Sequence, residues 1–164
     1  VDLNVTSEAD WQHGLCLYRA YDRDAGVKDV NDTIDRVRNL PECNGKVALL
    51  GYCLGALMVF MTAVRNDGID AAVWYHGADT EKYLGEVDGL HAPILMHLAE
   101  EDEFISKAAQ AEIKAALAGK PNATVHSYPG QNHAFSRHNG AHYNAAAAAL
   151  ANSRTNEFLS RQLR

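Results

Sequence analysis

Between residues 46 and 60, KVALLGYCLGALMVF, a continuously apolar run gives way to apolar positions at helical spacing, Leu54, Leu57, Met58 and Met61. That change of period predicts a strand over 46–51, a turn at Cys53, and a helix from about 54 to 66 ending near Asn66-Asp67-Gly68. The rest of the chain follows suit. Residues 1–24 are polar and irregular, with a short helix expected around 11–20. Val27, Val30, Ile34 and Val37 mark one face of a helix over about 26–39, closed by Pro41 and ECNGK. Further strands are expected at 69–75 (IDAAVWY), 93–99 (PILMHLA) and 123–128 (ATVHSY). An alanine-rich helix over 107–118 stops at Gly119-Lys120-Pro121, and a last helix runs from about 143 to 162.

Strands alternating with helices imply crossover connections, so the expected class is α/β with a mostly parallel sheet and helices on both faces. Three of the strands show little polar alternation, as strands covered on both faces should. The first strand, bearing Cys53, would be a sheet edge, and an uncovered apolar edge invites aggregation. The expectation is a further part of the protein N-terminal to this chain, or a second subunit covering the edge. The former is preferred, so residues 1–164 are read as one domain lacking its N-terminal strands.

Composition narrows the function classes. With 164 residues, 47% hydrophobic and 22% charged, the chain is an ordinary globular domain. A net charge of −6 argues against nucleic acid or an anionic membrane as partner. No apolar run approaches the roughly 20 residues of a membrane span, and VDLNVTSEAD lacks the character of a signal peptide. Cysteines 16, 43 and 53 form neither a disulfide framework nor a CxxC pair, which points to a reducing, cytoplasmic setting. His133, His138 and His142 have loosely ligand-like spacing, but no carboxylate or thiolate pattern accompanies them, and no metal is expected.

In open α/β sheets, sites form outside the carboxyl ends of the strands. Those ends carry Cys53, then His76, then the acidic run Glu100, Glu101, Asp102 and Glu103, then His133 and Arg137. Thiol, acid and imidazole thus follow one another in the chain order of α/β-hydrolases. GYCLG fits the nucleophile elbow G-x-S-x-G with cysteine in place of serine. The helix that follows would turn its N-terminus to the sulfur and offer the Leu54 N–H to a developing oxyanion. The alternative for Cys53 is a small buried hydrophobe. His133 is the expected general base and Asp102 the acid that orients it, with the neighbouring glutamates a solvated rim. Arg137 is shaped for a substrate carboxylate, with an ordinary surface arginine as the alternative. Tyr52, Tyr75, Phe104 and Phe135 complete the candidate substrate-binding set; for Tyr75 and His76 a structural place is the alternative. Cys16 and Cys43 are read as structural.

NGKVALLGYCLGA, PILMHLAEEDEFI, YPGQNHAFSR and AAAAALANSRTNEFL together resemble dienelactone hydrolase (carboxymethylenebutenolidase), from about residue 17 to the C-terminus. The resemblance implies an α/β-hydrolase with Cys53 as nucleophile, Asp102 as orienting acid, His133 as base, Arg137 as carboxylate-binding residue and Leu54 as an oxyanion-hole amide. It implies no cofactor, a small lactone or ester carrying a carboxylate as substrate, and hydrolysis of dienelactone to maleylacetate through a thioester. Ala56 stands where the family usually has glycine, and WQHGL at 11–15 lacks the arginine and tyrosine the family offers to substrate there. The family also has sequence before the position matching residue 1, with outer strands and a second oxyanion amide. Two other readings stay open: a related hydrolase of another ester, lactone or thioester, and an inactive binding or assembly module, self-associating through the exposed edge. A redox-sensing Cys53 is a weaker third.

Overall fold

Each of the four expected strands forms in the computed structural model, which describes residues 7–164. The start of the polar N-terminal stretch, residues 1–6, lies outside the described residues. The strands are β1 (Ala48–Tyr52), β2 (Ala71–Tyr75), β3 (Ile94–Ala99) and β4 (Ala123–Tyr128). They form one sheet in the order β1-β2-β3-β4, every neighbouring pair parallel. Five helices accompany them: α1 (Glu8–Ala20), α2 (Arg23–Arg38), α3 (Leu54–Arg65), α4 (Lys107–Leu117) and α5 (Ala145–Gln162).

Alternation along β2 and β3 explains why these strands read as continuously apolar. Ala72, Trp74, Ile94, Met96 and Leu98 point to one face, packing with Phe60 of α3, Ile34 of α2 and Ile113 of α4. Ala71, Val73, Tyr75, Leu95 and Ala99 point to the other, under Ala151 and Phe158 of α5. Both faces are covered, so both sets of side chains must be apolar or internally satisfied. As expected, β1 is an edge; Leu50 and Tyr52 remain 43% and 47% exposed.

The starts of α1, α2, α4 and α5 are fixed by side-chain caps, whereas α3 has none. Ser7 and Asp10 form a reciprocal capping box that starts α1 earlier than expected. Asp22, Ser106 and Asn144 cap α2, α4 and α5. One element has no counterpart in the sequence reading, a 3-10 helix at Thr80–Gly89. Its glycines and scattered apolar residues give no 3.6 period. It is held instead by contacts that sequence does not display, among them Trp74 Nε1–H donating to Thr80 Oγ1 at 3.0 Å. Parallel pairing brings all four strand ends to one rim, where the chain turns at Cys53, His76, Asp102 and His133.

Candidate active site

At the end of β1 the chain turns sharply enough that Cys53 takes φ 53° and ψ −121°, a sparsely populated conformation costing about 1–3 kcal/mol. Its N–H donates to the Tyr75 carbonyl at 3.1 Å, and its carbonyl accepts from Ala56 and Leu57 as α3 begins. The turn needs Gly51. A Cβ there would lie 2.2 Å from the Gly55 carbonyl oxygen and 2.7 Å from the Ala56 nitrogen. Cys53 is exposed, not a buried hydrophobe. Leu54 is the first residue of α3, so its N–H has no acceptor within the helix.

The acid and the imidazole meet across two loops. His133 Nδ1 lies 2.9 Å from Asp102 Oδ2 and 3.0 Å from Oδ1, with both residues buried. Asp102 Oδ1 also accepts from the Phe104 N–H at 2.9 Å. Asn132 ties the loops together, its Oδ1 accepting from the Glu103 N–H and from the His133 N–H. Burial alone would lower the His133 pKa. The hydrogen bond to Asp102, its charge, and the proximity of Cys53 reverse this and raise it to about 9. Imidazole and carboxylate are thus directly hydrogen-bonded, and His133 shares a cavity wall with Cys53.

Cys53 and His133 open onto a cavity of about 750 Å³. Of the candidate substrate-binding residues, Tyr52, Phe104 and Arg137 line it. Tyr75 and Phe135 do not. Both are fully buried, Tyr75 beneath α5 and Phe135 against Tyr128, so they support the site from behind. Glu101 pairs with Lys107 at 2.8 Å and Glu103 approaches His142 at 3.9 Å, an acidic rim set apart from the thiol. His133, His138 and His142 do not converge: His138 packs on Tyr143, and His142 Nδ1 contacts the His133 carbonyl.

One feature was left open by the sequence reading and a second escaped it. His76 lines the cavity at φ 42°, its ring edge-on to that of His133 with centroids 4.5 Å apart. Neither of its nitrogens has a partner among the described residues, and burial, aided by the charge of His133, lowers its pKa to about 4. The second feature is the wall supplied by α1 through Trp11, Leu15 and Tyr18. Tyr18 O–H donates to Asp79 Oδ2 at 2.8 Å and Arg23 pairs with the same carboxylate at 3.3 Å, fastening α1 to the loop after β2. The spacing of the apolar positions on α1 was the available signal.

Residues 7–163 match the Dienelactone hydrolase family. The chain belongs to that family. It is 34% identical over 160 residues to carboxymethylenebutenolidase 1 of Cupriavidus pinatubonensis, covering 98% of this chain and 67% of the relative. It is 36% identical over 158 residues to the carboxymethylenebutenolidase of Pseudomonas putida, covering 96% and 66%. The chain thus spans about two thirds of the length of these relatives. Among solved structures, a dienelactone hydrolase-like promiscuous phosphotriesterase from metagenomic libraries superposes with a TM-score of 0.78 at 20% identity, over 98% of this chain and 69% of that one. That likeness bears on the fold, which is the α/β arrangement expected from the strand pattern.

Proposed function

We propose that this chain carries the catalytic centre of an enzyme that hydrolyses small enol lactones or related carboxylic esters, with Cys53 as nucleophile. The observation carrying this reading is that the hydrogen-bonded Asp102–His133 pair and Cys53 come from three strand ends, with His133 and Cys53 lining one cavity. His133 Nδ1 faces Asp102, which leaves Nε2 for the thiol. Nε2 takes up the Cys53 proton ahead of substrate, in keeping with the raised pKa of His133, and the resulting thiolate adds to the substrate carbonyl carbon. The oxyanion accepts from the Leu54 N–H as the tetrahedral adduct forms. Collapse breaks the ester C–O bond and expels the enolate or alkoxide, which takes the proton from His133, leaving a thioester on Cys53. His133 then deprotonates water, which attacks the thioester carbon. The C–S bond breaks, the acid departs and the thiolate is restored beside the protonated His133. Arg137, with no carboxylate partner among the described residues, would hold a carboxylate of the substrate. The relatives' names favour dienelactone, whose ring-opened enol tautomerises to maleylacetate.

The test is hydrolysis of cis- and trans-dienelactone, followed at the substrate's ultraviolet absorbance, with Cys53→Ala in parallel. Turnover lost in the variant is the expected result. Turnover that survives Cys53→Ala, or a folded chain that turns over neither lactone nor ester, overturns the reading.

A further inference from the structure

The apolar residues of α1 fall at Trp11, Leu15 and Tyr18, with Gly14 among them, the i, i+3, i+4, i+7 stripe that normally seats a helix on its core. Here the stripe faces the cavity, and α1 has no buried residue. Its apolar surface is therefore only partly covered by the described residues. Trp11 is 42% exposed and Phe104, opposite it on the loop after β3, is 45% exposed. Their rings meet at 6.4 Å and 45°, too close to admit a third ring between them but forming one continuous aromatic wall. Phe104 in turn stands edge-on to His133 at 4.8 Å, so the wall ends at the reacting groups. The Tyr18 hydroxyl is engaged by Asp79, so Tyr18 offers its ring and not a free polar group. Asp79 is itself neutralised by Arg23 and Lys82.

Resting on the reading that this cavity hydrolyses esters, we infer that its substrate carries a planar aromatic ring, seated on the Trp11–Phe104 wall. A flat ring covers the stripe where a compact polar lactone would leave it wet, and aromatic contacts add to the area term. Arg137 lines the same cavity. Arylalkanoate esters fit this description. Trp11 is the specificity-determining residue and reads the ring by its face.

Two measurements on the 164-residue chain test this. In the first, 3-phenylpropanoate and propanoate are titrated while tryptophan emission is recorded. There are two tryptophans, and Trp74 is fully buried and bonded to Thr80, so a change reports Trp11. The aromatic acid is expected to bind at least ten-fold more tightly than propanoate. In the second, kcat/KM is compared for ethyl 3-phenylpropanoate and ethyl butanoate in wild type, Trp11→Ala and Trp11→Phe. The preference for the aromatic ester should collapse toward unity in Trp11→Ala, through KM, and largely return in Trp11→Phe. Equal binding of the two acids, no binding of either, or a preference unmoved by Trp11→Ala overturns the inference. Ring-dependent binding without turnover of any ester would leave the aromatic seat standing and remove the hydrolase reading instead.

Discussion

The imidazoles of His76 and His133 stand edge-on, 4.5 Å between centroids, and their environments push them in opposite directions. Burial holds His76 down to about 4, while Asp102 and Cys53 overcome burial and hold His133 up to about 9. Two adjacent rings of one chemical type thus differ in charge across the neutral range. Protonating both would set like charges in contact.

Stability should therefore peak near pH 6.5. Below it, an unfolded chain binds protons that folded His76 refuses, so stability is lost as pH falls from about 6.5 through 4. The loss from His76 is on the order of 3 kcal/mol. His97, lowered to about 3 chiefly by burial, extends the same limb. Above it, folded His133 holds a proton the unfolded chain releases, so its contribution fades as pH rises through about 9. Urea midpoints from pH 4 to 9 should show both limbs. His76→Phe should flatten the acid limb and His133→Gln the alkaline one; profiles that overlay wild type would count against these assignments.

Replacing Asp102 by Asn keeps the shape and removes the charge that holds His133. Turnover should fall by roughly three to four orders of magnitude, as expected when the imidazole loses its orienting carboxylate. A second readout does not need a substrate. In histidine NMR titrations the His133 resonance should move from about 9 back toward its ordinary value. A variant with wild-type titration and wild-type turnover would remove Asp102 from the centre.

The strands and the Cys53 turn were legible because they depend on local chemistry. Three apolar runs of strand length, a fourth run that alternates, and a cysteine between two glycines leave few alternatives. Aromatic residues near the rim were harder to place. Tyr75 ends a strand whose side chains alternate faces, and its parity with Ala71 and Val73 sends it under α5, away from the cavity. Phe135, two residues from His133, turns inward against Tyr128 for want of any other cover. The α1 stripe was obscure for a different reason. A stripe that serves a cavity and a stripe that serves a core have the same spacing. Nor does a sequence show that a lone histidine such as His76 will be buried without a partner.

Gly51 and Gly55 look alike in GYCLG, and the structure separates them. A Cβ on Gly51 would meet backbone atoms of Gly55 and Ala56, which cannot swing aside. A Cβ on Gly55 would meet nothing within 4 Å. Gly51→Ala should cost on the order of 3 kcal/mol, lowering Tm by about 10 °C. Gly55→Ala, in the first turn of α3, should be neutral or stabilising by up to about 1 kcal/mol. Thermal unfolding of the pair decides the matter. A mild Gly51→Ala would mean that the elbow can relax, and the close approach of β1 to α3 would no longer explain the glycine.

Behind the site, a chain of buried hydrogen bonds has a single consistent direction. Arg154 can only donate, so Tyr128 oxygen accepts from it at 3.2 Å and the Tyr128 O–H turns to His97 Nδ1 at 2.8 Å. His97 is neutral at ordinary pH, so its proton sits on Nε2 and goes to Thr155 Oγ1 at 3.0 Å. Thr155 must then donate to the Tyr75 oxygen at 2.7 Å, and Tyr75 donates to Asn152 Oδ1 at 3.2 Å. Every hydroxyl gives one proton and receives one. Thr155→Val breaks the chain in the middle, stranding the His97 Nε2–H and the Tyr75 oxygen in the core, and should cost about 1–3 kcal/mol. Thr155→Ser keeps the hydroxyl and should lose only the methyl, near 0.8 kcal/mol. Nitrogen NMR of His97 should find the Nε2–H tautomer in wild type. An Nδ1–H tautomer, or a Val variant no less stable than Ser, would mean that the bonds run in another order and that Tyr75 is fixed by packing alone.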